Sequence, residues 1–337
     1  MTYELLGITV LWTFLFGYLI VASVDFGAGF FSFDSKYRKN DYVLNKVIQR
    51  YLSPVWEVTN VFLIFFLIGI IGFFPDTAYY FGTALLIPGS IAVILLAIRG
   101  SYYAFNTYGA KESKLFSFLY GATGLLIPAS LTVVLTVSLG GYIEVADGRV
   151  TLLYGELFTS LYSWSVVLLA IASVLFISAM FLVYYADKAQ DYDAFATVRK
   201  YALSWAGPTI LMGVIVFMLL SQRNMTQFNN MLDLWWAFVI SAAAFLGAVY
   251  LVWKKRAYGT AFLLVTIQYF TAFFAYGSAH LPYLLYPHLT IYDGFTNEAM
   301  ALALIIAFIG GLLMLIPSLY LLMRMFLFDP EYVQGKK

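Results

Sequence analysis

Nine stretches of this chain are each apolar enough and long enough to cross a lipid bilayer. They lie at about 5–24, 53–74, 78–98, 115–140, 159–186, 202–221, 235–253, 259–281 and 300–323. A helix needs roughly 20 residues to cross about 30 Å of hydrocarbon. No backbone N–H or C=O can stay unpaired in lipid, so such runs fold as helices. The period-two alternation of outer-membrane barrel strands is absent from them. Only short connections remain, so residues 1–337 read as one all-α polytopic membrane domain with nine transmembrane helices. The first run reads as a retained helix rather than a signal peptide. No Lys or Arg precedes it, and it ends at Asp25 rather than at a small-residue cleavage site.

Charge is scarce, at 11% of residues, against about 25% in soluble domains. What charge there is falls on alternate connections. Lys36, Arg38, Lys39, Lys46 and Arg50 follow the first run, and Arg99, Lys111 and Lys114 follow the third. Lys188, Arg199 and Lys200 follow the fifth, Lys254, Lys255 and Arg256 the seventh, and Arg324, Lys336 and Lys337 the ninth. Arg149 and Arg223 are all that the intervening connections hold. Cytoplasmic loops collect Lys and Arg, so the pattern predicts the N-terminus outside and the C-terminus in the cytoplasm. Net charge is +1, which leaves no basic field for nucleic acid. There is no cysteine, which excludes disulfides, thiolate metal sites and thiol chemistry.

Polar residues at membrane depth are therefore informative. Asp25 closes the first run and Glu57 lies one turn into the second. The topology puts both at the cytoplasmic level, where two carboxyls could collect protons. Glu57 and Asn60 share a helix face, as do Trp56, Thr59 and Asn60, so Thr59 and Asn60 could carry a water chain. The plainer alternatives stay open. Asp25 could end its helix at the headgroups, with Gly27 and Gly29 terminating it or permitting close packing. Glu57 could be a first-turn acid favoured by the helix dipole. Arg99 ends the third run and reads first as one more inside arginine that snorkels to the surface, second as a partner of Asp25 or Glu57.

The two histidines, His280 and His288, are eight residues apart with Pro282 and Pro287 between them, which is not metal spacing. His280 reads as a hydrogen-bonded residue at the outer end of the eighth run. Trp235-Trp236 and Tyr184-Tyr185 sit where interface aromatics are expected. Leu86-Ile87-Pro88 and Leu126-Ile127-Pro128 suggest a weak internal repeat, and Pro88, Pro128, Pro208 and Pro317 are expected to kink their helices.

Four segments together resemble subunit II of the cytochrome bd quinol oxidases. Asp25-Phe26-Gly27-Ala28-Gly29 is similar to that family's Asp-x-Gly-x-Gly at the end of the first helix. Pro54-Val55-Trp56-Glu57 with Asn60-Val61-Phe62-Leu63 resembles its Pro-x-Trp-Asp/Glu motif. Arg99-Gly100 stands where the family has an Arg after the third helix, and Tyr286-Pro287 with Leu289-Thr290-Ile291-Tyr292-Asp293 resembles its last outer loop. The chain departs from the pattern in reading Ala22-Ser23-Val24-Asp25 where the family often has Asp-Gly-Phe-Asp, which removes one carboxyl. Phe62 stands where Trp is common, and Thr59 and Asn60 compete for one Asn position.

The resemblance implies two four-helix bundles plus one peripheral helix. It implies a haem-bearing subunit I as partner, holding two b-type haems and one d-type haem and oxidising quinol, with oxygen reduced to water there. No cofactor or metal would be bound by this chain, which would not be catalytic alone. Asp25 and Glu57 would transfer protons taken up from the cytoplasm, supported by Trp56, Thr59, Asn60 and Arg99. A small single-helix accessory subunit, membrane lipid and quinone complete the implied partners, and the location is a bacterial cytoplasmic membrane. The rival readings are a secondary transporter or ion exchanger, and a purely structural assembly subunit.

Overall fold

The computed structural model describes residues 2–37, 48, 59–108, 114–146 and 149–326 of the chain. It is helical nearly throughout. Helix α1 spans Tyr3–Tyr37, α2 Thr59–Phe73, α3 Pro75–Ala84, α4 Leu86–Tyr108, α5 Lys114–Leu131 and α6 Val133–Ser138. After a hairpin of β1 (Ile143–Ala146) and β2 (Arg149–Leu152) come α7 (Tyr154–Thr159), α8 (Leu161–Lys188), α9 (Tyr192–Arg223), α10 (Met225–Asp233), α11 (Trp235–Trp253) and α12 (Tyr258–His280). A second hairpin, β3 (Tyr283–Leu285) and β4 (Leu289–Thr290), precedes α13 (Glu298–Phe326). Among the described residues seven helices are long and apolar enough to cross a membrane, and α2 with α3 forms a further pair bent by 118°.

The helix boundaries follow from local chemistry. Pro75 occupies the first turn of α3, where its missing N–H costs nothing, and the bend from α2 falls immediately before it. Polar caps start three later helices: Ser160 accepts from Ser163 N at 3.3 Å, Asp191 from Ala194 N at 3.0 Å and Asn224 from Gln227 N at 3.0 Å. The apolar run at 78–98 proves not to be one helix, because the chain breaks at Leu85 between α3 and α4. The two Leu-Ile-Pro segments differ in setting: Ile87 is exposed at the start of α4, whereas Ile127 is buried near the end of α5.

Helix α8 is the centre of the packing. Its apolar stretch is 67% buried, and no other candidate span exceeds 33%. Its most extensive neighbour is α9, which meets it along Ala194, Val198, Ala202 and Ala206. Those residues recur every fourth position, so one seam of small side chains lets the two backbones approach. Tyr185, read as an interface aromatic, lies fully buried in this core, while Trp235 and Trp236 at the start of α11 are exposed. A second apolar cluster joins α1 to α2 and α13 through aromatic contacts. Phe14 stacks on Phe65 at 4.9 Å and meets Phe308 edge-on at 5.4 Å.

The two hairpins share one apolar cluster, formed by Ile143, Val150 and Leu152 with Leu285 and Leu289, and are tied to the neighbouring helices. Tyr286 N donates to Ser138 O at 2.9 Å, and Arg223 lies over the Tyr142 ring at 4.0 Å while donating to Gly140 O. Gly140 has φ +89°, and a Cβ there would sit 2.4 Å from Tyr286 O. Gly140→Ala is therefore expected to lower stability by about 1–3 kcal/mol, from left-handed strain plus a backbone clash. A thermal-unfolding midpoint equal to wild type would rule this out.

Candidate functional site

A charged pair lies in the interior where α1, α4 and α5 meet. Arg99 and Asp25 are each 0% exposed. Arg99 Nε donates to Asp25 Oδ2 at 2.9 Å and Nη2 to the Asp25 carbonyl at 2.7 Å. Nη1 donates to the Tyr120 carbonyl at 2.9 Å and reaches Thr123 Oγ1 at 3.4 Å. The guanidinium is also sandwiched by rings, 4.2 Å from the Tyr120 centroid and 5.1 Å from that of Phe26. Tyr120 OH donates to the other carboxylate oxygen, Oδ1, at 3.3 Å. One arginine thus ties the backbones of α1 and α5 together while neutralising an acid. Removing two ions from water costs several kcal/mol each, and the excess is recovered only when geometry and hydrogen bonds are good, as they are here.

Glycine makes the space. Gly29 stands one turn after Asp25, and a Cβ there would sit 3.0 Å from both Nη1 and Nη2. On the facing helix a Cβ at Gly124 would fall 2.2 Å from the Phe26 carbonyl, and one at Gly121 would fall 2.7 Å from Phe33 Cβ. Both helices are pared down where they cross. On its other side α1 meets α8, where Ser178 Oγ donates to the Val24 carbonyl at 2.8 Å.

Two sequence readings need correction. Asp25 does not end its helix: α1 continues for twelve residues to Tyr37, and Gly27 and Gly29 serve close packing. Arg99 does not snorkel to a surface. Helix α4 runs nine residues past it, and the side chain turns inward because a carboxylate waits there. Of the other expected residues, Thr59 is buried and Asn60 half-buried at the start of α2. Trp56 and Glu57 lie outside the described residues, so the meeting of the two acids does too. His280 ends α12 with Nδ1 2.7 Å from Gln227 Oε1, a hydrogen-bonded histidine as expected. His288 is exposed. Among the described residues no three His, Cys, Asp or Glu side chains come together.

Tyr120, Thr123 and Tyr18 were not singled out in the sequence. The Tyr18 hydroxyl is buried, within electrostatic reach of Asp25 and Arg99, with no hydrogen-bond partner among the described residues. The available signal was Tyr120-Gly121-Ala122-Thr123-Gly124, where two glycines three apart mark a close helix crossing.

The sequence profile of the family described as cytochrome bd terminal oxidase subunit II matches residues 3–326. The chain belongs to that family. A Bacillus subtilis (strain 168) protein, named as a candidate cytochrome bd menaquinol oxidase subunit II, is 35% identical over 344 residues, covering 100% of this chain and 99% of its own. A chain in the solved structure of bd oxidase from Geobacillus thermodenitrificans is 59% identical, with a TM-score of 0.86, covering 98% of this chain and 100% of that one. Membership in the subunit II family displaces the transporter reading. It also gives the ion pair a setting: Asp25 and Arg99 are the residues of the first and third family-like motifs, 74 positions apart in the chain.

Proposed function

We propose that this chain is the non-haem subunit of a cytochrome bd-type quinol:oxygen oxidoreductase in a bacterial cytoplasmic membrane. What supports this is likeness over almost the whole chain, in sequence and in fold, to a chain of a bd oxidase. Its partner is the haem-bearing subunit I, which carries two b-type haems and one d-type haem and oxidises quinol. A small single-helix accessory subunit, lipid and quinone complete the surroundings. The sorting of Lys and Arg supports nine spans with the N-terminus outside, and the family resemblance supports two four-helix bundles plus a peripheral helix.

Within that complex Asp25 and Glu57 help conduct protons from the cytoplasm toward the partner. The buried carboxylate of Asp25 carries this reading, because an ionisable group deep in a membrane bundle is costly and is a functional site by default. A second reading has its own support. Arg99 links α1 and α5 through the Asp25 and Tyr120 carbonyls, which is what a purely structural clamp would do.

The variants Asp25→Asn and Glu57→Gln separate the two. In the intact complex each is expected to lower quinol-driven oxygen consumption about tenfold, corresponding to roughly 1.4 kcal/mol on the limiting barrier, and to alter its pH dependence. Full assembly with unchanged rate and pH dependence would leave the clamp alone standing.

A further inference from the structure

We propose that α6, α10 and α12 enclose an ordered water molecule, held by the Gln227 amide, the Tyr276 hydroxyl and the Ser138 hydroxyl. The inference is independent of the proton role proposed for Asp25. Gln227 lies on α10 and is 3% exposed. Its Oε1 is held, 2.7 Å from His280 Nδ1. Its Nε2 is buried and has no hydrogen-bond partner among the described residues. Turning the amide over exchanges oxygen and nitrogen without moving either position, so one buried amide atom stays unpaired both ways.

The Tyr276 hydroxyl, one helical turn before His280, is also buried and without a partner among the described residues. Gln227 and Ser138 both reach toward it, yet neither stands in hydrogen-bond geometry. Ser138 Oγ donates to the Leu135 carbonyl at 2.9 Å, which leaves its lone pairs able to accept. Polar groups that approach without bonding are what an intervening water leaves. A buried water makes about three hydrogen bonds, and three groups converge here. The water accepts from Gln227 Nε2 and donates to Ser138 Oγ, and the Tyr276 hydroxyl can play either part. The surround is otherwise apolar, with Leu139, Leu220 and Met231 buried beside Tyr276. Leaving the amide and the hydroxyl both unpaired costs more than immobilising one water.

Two direct bonds run alongside. Asn224 Nδ2 donates to the Leu139 carbonyl at 3.2 Å, and Asn230 Nδ2 to the Ala279 carbonyl at 2.9 Å. The water completes a polar seam that fastens α10 to the ends of α6 and α12.

The test uses the protein purified with the subunits that accompany it. A cryo-electron-microscopy map fine enough to show ordered water is expected to carry a single-atom peak within hydrogen-bonding distance of Gln227, Tyr276 and Ser138. Tyr276→Phe gives a separate reading, because the two cases differ in sign. Where the hydroxyl holds a water, its removal takes a partner from that water and lowers the thermal midpoint by roughly 2–4 °C. Where the hydroxyl is unpaired, its removal relieves a buried polar group and the midpoint stays or rises. The wild-type map decides the matter should the variant fail to assemble. A map with no peak there, a direct bond between Tyr276 and Gln227, or an occupant larger than water overturns the proposal. So does an unchanged or raised midpoint for Tyr276→Phe.

Discussion

Replacing Arg99 by Gln is expected to destabilise the protein by about 3–5 kcal/mol, the usual cost of stranding one member of a buried ion pair. Both side chains are fully buried, so solvent screening gives no relief. Gln cannot reach the Asp25 and Tyr120 carbonyls together, so the tie between α1 and α5 is lost along with the charge. The loss should be seen as a lower thermal midpoint and a lower yield of haem-containing complex when this subunit carries the tag. Adding Asp25→Asn in the same chain removes the stranded charge and should recover most of the loss. A double variant as unstable as Arg99→Gln alone would show that the cost comes from the lost tie rather than from the charge.

Gly124→Ala is the second large effect. The new methyl would lie 2.2 Å from the Phe26 carbonyl, a backbone atom that no rotamer change can move aside. Overpacking of this kind costs about 1–3 kcal/mol, and the helices must separate to relieve it. Separation lengthens the contacts of Tyr120 with Arg99 and Asp25, so quinol-oxidising turnover should fall further than stability does. By contrast, a Cβ at Gly213 of α9 meets nothing within 4 Å, which makes Gly213→Ala the matched control. Equal behaviour of the two alanine variants would contradict the close crossing of α1 and α5.

Much of this fold is legible in the sequence, because hydrophobic length and loop charge are decided locally. The runs at 159–186, 235–253 and 259–281 coincide closely with α8, α11 and α12. What local reasoning misses is depth. Asp25 and Arg99 looked terminal because the apolar runs stop there, yet α1 and α4 continue as helix beyond them. Each charge is tolerated inside only because the other is present, a fact that hydropathy along one strand of sequence cannot contain. Tyr120 was hidden for a related reason. An aromatic in a run of apolar residues reads as filler until the partner across the crossing is known. The hairpins at 143–152 and 283–290 were hidden as well, being short pairings in connections whose length alone stood out. Tyr185 errs the other way, since an aromatic at a helix end suits an interface and only the packing of α8 at the centre draws it inward.

The spacing of the ion pair along the chain also bears on biogenesis. Synthesis delivers Asp25 to the membrane 74 residues before Arg99, and Tyr120 later still. The first helix therefore reaches the membrane before the arginine that holds its acid in the folded protein has been made, and the tie between the first and fifth helices can close only once the fourth and fifth have arrived.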